Sequence, residues 1–542
     1  MTDVVAKETP GVTGPGASVP GAAARGWIVT VACAAVAVII ASMAALYTAL
    51  PDIATASGAT QAQLTWIVDG YTLALACLVL PAGAVGDRYG RRVVLVAGLA
   101  VFTAGSVLPL LVQEPVWIIA ARVLAGAGAA AVMPSTLSLL TGLLPADRRA
   151  GAIGLWAGVA GAAGVVGIVG SGALVQVWSW ESIFIVLSAA GAVMLLCVLT
   201  LPESRSPVPP RIDAVGGVLV AAGLGLLVFG IISGPEHGWA SVPVLATIGG
   251  GLVLVVAFVV TQLRMREPLL DVRLFRSRGF SAGALSLTVQ FGVTFGVFLI
   301  LIQYLQLVLG YSPFGASLAI APMMAPLMLV AMVSPRIAER VGLKAVMVAG
   351  MAAIAFGLLM LRGIDADSGY VDVLWPVLIM SAGLGLTAAP ATGVIVSEAP
   401  ADKQGVAAAV NDATREVGAS LGIAVAGSLL AAGYASGIAP VLDRLPAAAR
   451  GPVEDSLAGA LAVAEHAGPS AGVLEDVAER AFLDGVASAG LVLACAAAVG
   501  AVFMAVLAPG RGAARRRPAR EDVAAYAPEP GRSETGAPTL DV

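Results

Sequence analysis

The sequence predicts an all-α membrane protein of about fourteen transmembrane helices. Of its 542 residues, 58% are hydrophobic and only 12% are charged, whereas an ordinary soluble chain carries about 25% charged residues. The mean hydropathy is +0.93. Apolar runs of roughly 20 residues, each long enough to cross about 30 Å of hydrocarbon, recur along the chain. One or two such runs would fit the core of a soluble protein, but this many do not.

These runs define fourteen predicted spans, numbered in chain order. Their limits are near 27–50, 64–83, 93–112, 116–140, 151–175, 181–200, 213–233, 240–262, 280–309, 313–333, 343–361, 373–396, 405–431 and 484–507. The segment 1–26 is polar and rich in Gly, Pro and Ala, and the tail 508–542 is rich in Arg. Both segments lack the apolar residues that a packed core needs, so we predict that they are disordered.

Basic residues fall almost entirely in alternate loops. One set of loops, with the segments that flank them, contains Arg88, Arg91, Arg92, Arg148, Arg149, Arg205, Arg211, Arg264, Arg266, Arg273, Arg276, Arg278, Arg336, Arg340, Lys344 and Lys403. The intervening loops contain Arg362, Arg444, Arg450 and Arg480. Because short cytoplasmic loops are enriched in Lys and Arg, the first set is predicted to be cytoplasmic. An even number of spans then places both termini on that side.

The segment 432–482 is the only long loop predicted on the external side. It carries the acidic residues Asp443, Glu454, Asp455, Glu465, Glu475, Asp476 and Glu479. Two interpretations stay open. The segment is either a solvated, partly helical loop or an acidic funnel that raises the local concentration of cations at the outer mouth.

Two loop motifs recur at nearly the same offset in the two halves of the chain. The loop after span 2 contains Asp87-Arg88-Tyr-Gly90-Arg91, and the loop after span 10 contains Glu339-Arg340-Val-Gly342-Leu-Lys344. A second echo relates Pro145-Ala-Asp147-Arg148 to Pro400-Ala-Asp402-Lys403. We therefore infer two copies of one six-helix bundle, in 27–200 and 280–507, with 201–279 as a linker that carries the inserted spans 7 and 8. Two parallel halves around a central site are a transporter architecture.

The loop after span 2 also has a local physical role. Asp87 lies near a helix N-terminus and close to cations, where negative charge is favoured. Gly83 and Gly90 permit close approach and turning. The basic residues Arg88, Arg91 and Arg92 also anchor the topology. We interpret the motif as a conformational latch between helices that breaks and re-forms during transport.

The sequence gives no support to metal or cofactor chemistry. The four cysteines, Cys33, Cys77, Cys197 and Cys495, lie singly in apolar runs without a CxxC pair, so neither a disulfide nor a metal site is predicted. Both histidines lie in loops, and no lysine sits in the Gly-Lys-Ser/Thr context of an ATP-binding loop. We expect no cofactor and no enzymatic activity.

Several motifs resemble the major facilitator superfamily and, within it, the 14-span drug:proton antiporters that export drugs and antibiotics. The matching segments are Gly83–Arg92, Trp66–Tyr71 in span 2, Arg122–Pro134 in span 4, Gln303–Pro322 across spans 9 and 10, and Asn411–Gly418 in span 13. The resemblance implies the major facilitator fold, with two six-helix bundles and two inserted helices. It also assigns the antiporter motif of span 5 to Gly164, Gly167, Gly170 and Gly172.

The chain departs from this family pattern in span 1 and span 5. Ser42 stands where the family usually carries an aspartate, and Tyr47 stands where it carries an asparagine. The span 5 motif lacks its proline, since Ile168 follows Gly167. The loss of the span 1 acid weighs against dicationic substrates.

Charged residues inside spans are candidates for function, because a charge at the bilayer centre costs about 2.5–3.5 kcal/mol. Asp412 and Glu416 are four residues apart, hence on one side of span 13, and Arg415 can reach Asp412. One interpretation is an intrahelical pair that serves packing alone. The other is that Asp412 pairs with Arg415 while Glu416 exchanges a proton in competition with a cationic drug.

Asp69 and Arg122 are the remaining candidates among the charged residues of the predicted spans. Asp69 is either an acid anchored at the interface or, as the resemblance implies, part of a substrate or proton site. Arg122 is either a donor to backbone carbonyls or, by the same resemblance, an aid to proton transfer. Met323, Met324 and Met328, with Phe291, Phe295 and Phe298, are candidates to line a soft apolar pocket.

The expected function is proton-coupled export of amphipathic drugs or antibiotics across the bacterial cytoplasmic membrane. The expected partners are a small-molecule substrate, protons and the lipid bilayer, with no nucleic acid, and the chain is expected to act as a monomer. The alternatives are an exporter of one natural product or metabolite and an uncoupled carrier of the same fold. Fold alone does not decide among them.

Overall fold

The structure, a computed structural model, describes residues 22–205, 212–365, 367–398, 404–466 and 471–508. Most of the N-terminal segment and of the tail that the sequence predicts to be disordered lies outside these residues. The echo at residues 400–403, with Lys403, and Arg211 also lie outside them. Within the described residues, the chain is helical and has no β-strand.

Helices account for all fourteen predicted spans. The helices of spans 2–9 are Gln61–Tyr89, Arg91–Leu111, Pro115–Leu143, Ala146–Val177, Glu181–Leu199, Ala214–His237, Val242–Arg264 and Arg278–Leu307, and those of spans 11–14 are Leu343–Leu361, Tyr370–Glu398, Gln404–Leu442 and Ala471–Leu507. Each span has at least 19 residues, about 28 Å of helix at 1.5 Å per residue. A helix satisfies its backbone polar groups internally, as hydrocarbon requires. The predicted all-α membrane fold is confirmed.

Spans 1 and 10 are broken by short 3₁₀ segments. Span 1 consists of Ala22–Ala45, Leu46–Ala49 and Leu50–Ser57, and span 10 consists of Pro313–Ile320, Ala321–Met323 and Met324–Val341. Pro51 and Pro322 lie at these breaks. Proline interrupts a helix because it lacks a backbone N–H and its ring clashes with the preceding turn. Another 3₁₀ helix, Val272–Arg276, precedes span 9.

The two halves pack in the same order. Span 1 packs on spans 4, 5 and 6, span 2 on span 4, and span 3 on spans 4 and 6. Spans 9, 10 and 11 repeat these pairings with spans 12, 13 and 14. Gly90 and Gly342, the glycines of the two echoed loops, both have a positive φ, 125° and 95°. The predicted pair of six-helix bundles is therefore confirmed.

The inserted spans 7 and 8 pack on each other, and span 7 lies along the seam between spans 2 and 13. Its residues Val228 and Ile232 share a buried cluster with Leu73 and Cys77 of span 2 and Ala424 of span 13. The insertion thus covers one of the two seams where the bundles meet.

The bundles meet closely at one membrane face. We call the side that carries the loops after the even-numbered spans the arginine-rich face, and the other side the opposite face. At the opposite face, Gln306 Nε2 donates to the Thr48 carbonyl oxygen at 3.0 Å. Ser312 Oγ hydrogen-bonds to Gln176 Oε1 at 2.9 Å. Each bond joins a residue of one bundle to a residue of the other.

The seam between spans 5 and 10 is packed near the opposite face and open towards the arginine-rich face. Gly172 lies against span 10, where an added Cβ would be 2.7 Å from the Pro313 carbonyl oxygen. Gly154 lies 18 residues earlier, five helical turns of 3.6 residues, and therefore points the same way. No described atom lies within 4 Å of a Cβ built on Gly154. On span 10, Met328 and Met332 are 62% and 71% exposed.

The predicted long loop 432–482 is mostly helical in its described residues. Span 13 continues to Leu442, and the helix of span 14 begins at Ala471. Between them lie the helices Ala447–Asp455 and Leu457–Ala464, which we call the hairpin 447–464. This corrects the predicted limits. The alanine-rich sequence favours helix, and Ser456 caps the second helix by accepting a hydrogen bond from the Gly459 N–H at 3.1 Å.

The hairpin 447–464 connects the two bundles at the opposite face. Tyr434 of span 13 donates its hydroxyl hydrogen to the Val453 carbonyl oxygen at 2.7 Å, which fixes the first helix to its own bundle. The second helix packs against Leu50–Ser57, the end of span 1 in the other bundle. Ala460 in that helix is fully buried.

Candidate functional site

Arg122 joins three helices of the first bundle. The side chain is 1% exposed. It donates from Nε to the Ile67 carbonyl oxygen of span 2 at 3.1 Å, and from Nη1 and Nη2 to the hydroxyl and carbonyl oxygens of Ser42 at 3.2 and 3.3 Å. Its Cζ lies 4.3 Å from the centre of the Tyr71 ring. These contacts match the interpretation of Arg122 as a donor to backbone carbonyls.

No described carboxylate lies within 4.0 Å of the Arg122 guanidinium. Ser42 occupies the place beside it and offers only a hydroxyl and a carbonyl oxygen. The buried cation is therefore stabilised by neutral hydrogen-bond acceptors and by the face of an aromatic ring, which attracts cations through its quadrupole.

Asp69 is fully buried in span 2, eight residues after the helix begins at Gln61. Neither carboxyl oxygen has a hydrogen-bond partner among the described residues. The Ser420 hydroxyl, on span 13 of the other bundle, interacts electrostatically with this carboxyl. An acid anchored at the interface would keep its carboxyl in water, so the burial of Asp69 does not fit that alternative.

The charged residues of span 13 do not form the predicted ion pair. Asp412 Oδ1 accepts a hydrogen bond from Asn411 Nδ2 at 3.2 Å, and no Arg415 nitrogen lies within 4.0 Å of the carboxylate. The Arg415 Cζ lies instead 4.4 Å from the centre of the Phe291 ring on span 9. Because span 9 packs along span 13, an aromatic ring of another helix takes the place of the local carboxylate.

Glu416 is the most buried acid of span 13, at 4% exposure. Its Oε2 has no hydrogen-bond partner among the described residues. The groups that act on it electrostatically are Arg415 and Asp412 on its own helix and Tyr71 of span 2. Glu416 therefore faces the seam between the two bundles, as Asp69 does from the other side.

An aromatic row extends along span 9 towards the opposite face. The ring centres of Phe291 and Phe295 are 6.1 Å apart, and those of Phe295 and Phe298 are 5.9 Å apart. Tyr47 of span 1 closes the row, 6.4 Å from Phe295 and 6.1 Å from Phe298. The Tyr47 hydroxyl is buried without a hydrogen-bond partner among the described residues. Part of the predicted soft pocket is present, because Phe298 and Met324 line one small cavity with Val165, Ile168 and Ser317.

The latch motif joins helices within the first bundle. Arg91 forms an ion pair with Asp87 at 2.9 Å and donates to the Ser138 carbonyl oxygen of span 4 at 2.8 Å. The Arg92 backbone N–H donates to Glu203 Oε1, after span 6, at 3.1 Å. Residue Arg88 lies beside the Tyr89 ring, 5.8 Å from its centre, and Gly83 lies against Pro134.

The span 5 glycines have unequal surroundings. A Cβ on Gly167 would lie 2.5 Å from the Ala41 carbonyl oxygen of span 1, and Gly172 packs on span 10. Gly164 makes only an ordinary contact with Ile40, and nothing lies within 4 Å of a Cβ on Gly170. Close approach therefore requires glycine at Gly167 and Gly172.

Sequence reasoning missed Phe291 as the partner of Arg415 and Glu203 as the partner of the loop motif. Both partners come from helices distant in sequence, and no local spacing rule points to them. It noted Ser42 and Tyr47 only as departures from a family pattern. Tyr47 lies in the break of span 1 shortly before Pro51, and that position was the available signal for it.

Comparison with known proteins places these features in a family. The family model described as Major Facilitator Superfamily matches residues 32–423. The chain is 32% identical to Multidrug resistance protein Stp of Mycobacterium tuberculosis, over 84% of this chain and 87% of that protein. It is 34% identical to the Tetracenomycin C resistance and export protein of Streptomyces glaucescens, over 83% and 84%. It is 33% identical to Multidrug efflux pump LfrA of Mycolicibacterium smegmatis, over 88% and 96%.

Solved structures share the fold at low sequence identity. A bacterial homolog of the human lysosomal transporter Spinster, in an inward-facing and occupied conformation, aligns with a TM-score of 0.65 and 14% identity, covering 92% of this chain and 100% of that one. The xylose transporter XylE from E. coli, in an inward-open conformation, aligns with a TM-score of 0.54 and 14% identity, over 90% and 97%.

Proposed function

Because this chain belongs to the Major Facilitator Superfamily and is a multi-pass protein of the cell membrane, we propose that it exports amphipathic drugs or antibiotics in exchange for protons. The arginine-rich face is then cytoplasmic, as the distribution of Lys and Arg predicts, and both termini lie on that side. The relatives named as multidrug resistance and antibiotic export proteins support the substrate class.

The observation that carries the proposal is a pair of buried, unpaired carboxyl groups at the seam between the bundles. Asp69 faces the seam from span 2, and Glu416 faces it from span 13. A charge inside the membrane is costly and marks ion or proton pathways. Two such carboxyls on helices that move relative to each other give protons and a substrate a common site for competition.

The cycle follows from the two seams. In the described conformation the bundles are joined at the opposite face and open towards the arginine-rich face, so a drug reaches the site from the cytoplasm or the inner leaflet. Binding displaces a proton from the carboxyl site. The bundles then rock so that the opposite face opens, and a proton from outside releases the drug. One chain contains both bundles, so we propose that a monomer suffices.

A narrower substrate range is the alternative, because one of the relatives is named for the export of a single compound, tetracenomycin C. A panel of substrates separates the two cases. A multidrug exporter responds to several unrelated amphipathic compounds, whereas a dedicated exporter responds to compounds of one chemical scaffold.

The test is drug-dependent proton release from inverted membrane vesicles. We expect several amphipathic compounds to alkalinise acid-loaded vesicles that contain the parent protein, and Glu416→Gln to abolish this response. The matched control is Glu454→Gln, on the exposed surface of the hairpin 447–464, which should respond like the parent. An unchanged response in Glu416→Gln would remove Glu416 from the coupling. No response from folded parent protein to any compound would contradict antiport.

A further inference from the structure

We propose that Arg415 is a two-position switch that couples the binding of a monocationic substrate to proton release. In one position the guanidinium covers the Phe291 ring, and in the other it pairs with Asp412. The substrate cation binds to the face of the Phe291 ring and thereby displaces the Arg415 guanidinium. This inference rests on the proposed function. It adds the class of ligand and the residues that respond to the charge of that ligand.

The described structure contains the first position. The Arg415 guanidinium lies over the Phe291 ring at 4.4 Å. Phe291 and Arg415 are both only partly buried, so the ring and the guanidinium are not sealed within the protein. An organic cation with a delocalised or shielded charge binds to the same aromatic face by the same attraction.

The second position is within reach of the same side chain. Asp412 is three residues before Arg415, on neighbouring positions of one helical surface. Its Oδ1 accepts a hydrogen bond only from the neutral Asn411 amide among the described residues. A guanidinium displaced from Phe291 can therefore pair with this carboxylate without breaking another ion pair.

Asp412 and Glu416 respond to the switch as a unit. They are one helical turn apart, and Asp412 acts electrostatically on Glu416, so a change in the charge of one carboxyl changes the proton affinity of the other. The other ionisable groups near Glu416 are Arg415 and Tyr71. Arg415 is thus the cation whose movement changes the charge that the carboxyl pair can hold.

The step balances in charge. The substrate cation brings one positive charge to the Phe291 ring, the guanidinium moves to Asp412, and one proton leaves the carboxyl pair for water. After the opposite face opens, a proton returns to the pair and breaks the ion pair with Arg415. The guanidinium then returns to the ring and displaces the substrate cation.

The geometry selects a substrate with one positive charge. One ring carries the guanidinium, so there is one place for a quaternary ammonium or phosphonium group. Neutral compounds can lie along Phe295 and Phe298 without displacing Arg415 and would release no proton through this switch.

The test uses tetraphenylphosphonium and the purified full-length chain in nanodiscs. The affinity for the cation is measured at several pH values, and proton release is measured with a pH indicator in weak buffer. For the parent, exchange of one proton per cation makes the affinity rise about tenfold per pH unit over the titration range. Phe291→Trp, which keeps an aromatic face, should keep this slope.

Two variants move the affinity in opposite directions at the acidic end of the range. Phe291→Leu removes the aromatic face that binds the cation and should weaken binding roughly 2- to 30-fold. Arg415→Gln removes the guanidinium that competes for this face and should tighten binding by a few-fold. Both should lose the pH slope and the proton release. A merely structural role would weaken binding in both variants. The matched control is Phe503→Leu on span 14, where the ring is 48% exposed and neither quantity should change.

The outcomes separate the switch from the proposed function. Binding by the parent without proton release overturns antiport and the switch with it. Proton release by the parent that persists unchanged in Phe291→Leu overturns the switch alone. If Phe291→Leu does not fold, Arg415→Gln decides, because weaker binding or a retained pH slope in that variant contradicts the proposal.

Discussion

At the scale of single residues, Arg122, Arg415 and Asp69 lie within the spans with no described group of opposite charge within 4.0 Å. Arg122 uses neutral acceptors and the Tyr71 ring, Arg415 uses the Phe291 ring, and Asp69 has no hydrogen-bond partner among the described residues. A fixed ion pair between these groups would resist separation in a low-dielectric site. Unpaired groups leave the charges available to substrates and protons.

A glycine of the loop motif offers a sharp test at this scale. Gly90 has a φ of 125°, and a Cβ there would lie 2.9 Å from the Glu203 carboxylate. We expect Gly90→Ala to destabilise the protein by about 1–3 kcal/mol, because it adds backbone strain and a clash. The measurement is thermal unfolding in detergent, followed with a thiol-reactive dye.

Gly154→Ala is the control for this substitution, because no described atom lies within 4 Å of a Cβ added at Gly154. Alanine in a helix interior is favoured over glycine by about 1 kcal/mol, so this variant should be as stable as the parent or more stable. Equal melting temperatures for Gly90→Ala and the parent would contradict the predicted backbone strain at residue 90.

At the scale of helices, local rules predicted the spans well and their partners poorly. Apolar runs and flanking arginines located all fourteen spans, because the bilayer requires length and apolarity in each span independently. The segment of the hairpin 447–464 was predicted as a partly helical loop without helix limits, since its acids and alanines fit both a solvated segment and a helix. Arg415 was assigned to Asp412 because spacing on one helix is visible in sequence, whereas the Phe291 ring comes from another helix.

The packing of the hairpin 447–464 can be tested by two charges placed two residues apart. Ala460 is fully buried in the second helix of the hairpin, which packs on the end of span 1 and on the helix of span 14, and Ala462 is exposed. We expect Ala460→Glu to detach the second helix of the hairpin, because burying an unpaired charge is unfavourable. Hydrogen exchange of the Leu457–Ala464 backbone should then accelerate by a factor of ten or more, about 1.4 kcal/mol of lost protection.

The Ala462→Glu variant should exchange at the parent rate, since its side chain projects into solvent. Equal rates in the two variants would show that the second helix of the hairpin is not packed on its neighbouring helices.

At the scale of the whole molecule, the structure shows where the two bundles meet, and the proposed rocking of one bundle against the other can be tested. The sequence repeat predicted two copies, and the packing order confirms them. The sequence does not show at which membrane face the seam between spans 5 and 10 is closed, because the same glycines and methionines line that seam in either state.

A covalent link at the closed face should stop transport. Gln176 and Ser312 belong to different bundles, and their side-chain oxygens are 2.9 Å apart. We expect Gln176→Cys with Ser312→Cys, linked as a disulfide by oxidation, to lose export and to recover it on reduction. The measurement is accumulation of a fluorescent cationic dye in whole cells. Each single cysteine variant should export normally, and full export by the linked double variant would refute rocking at this seam.

The hairpin 447–464 also has a consequence for pharmacology. It belongs to one bundle and rests on the other, so every conformation that opens the opposite face must first separate it from Leu50–Ser57. A ligand shifts an equilibrium only by its differential affinity for the two states. An antibody fragment that recognises the hairpin and the end of span 1 together would bind only the joined state, and would arrest the pump without competing for the drug site.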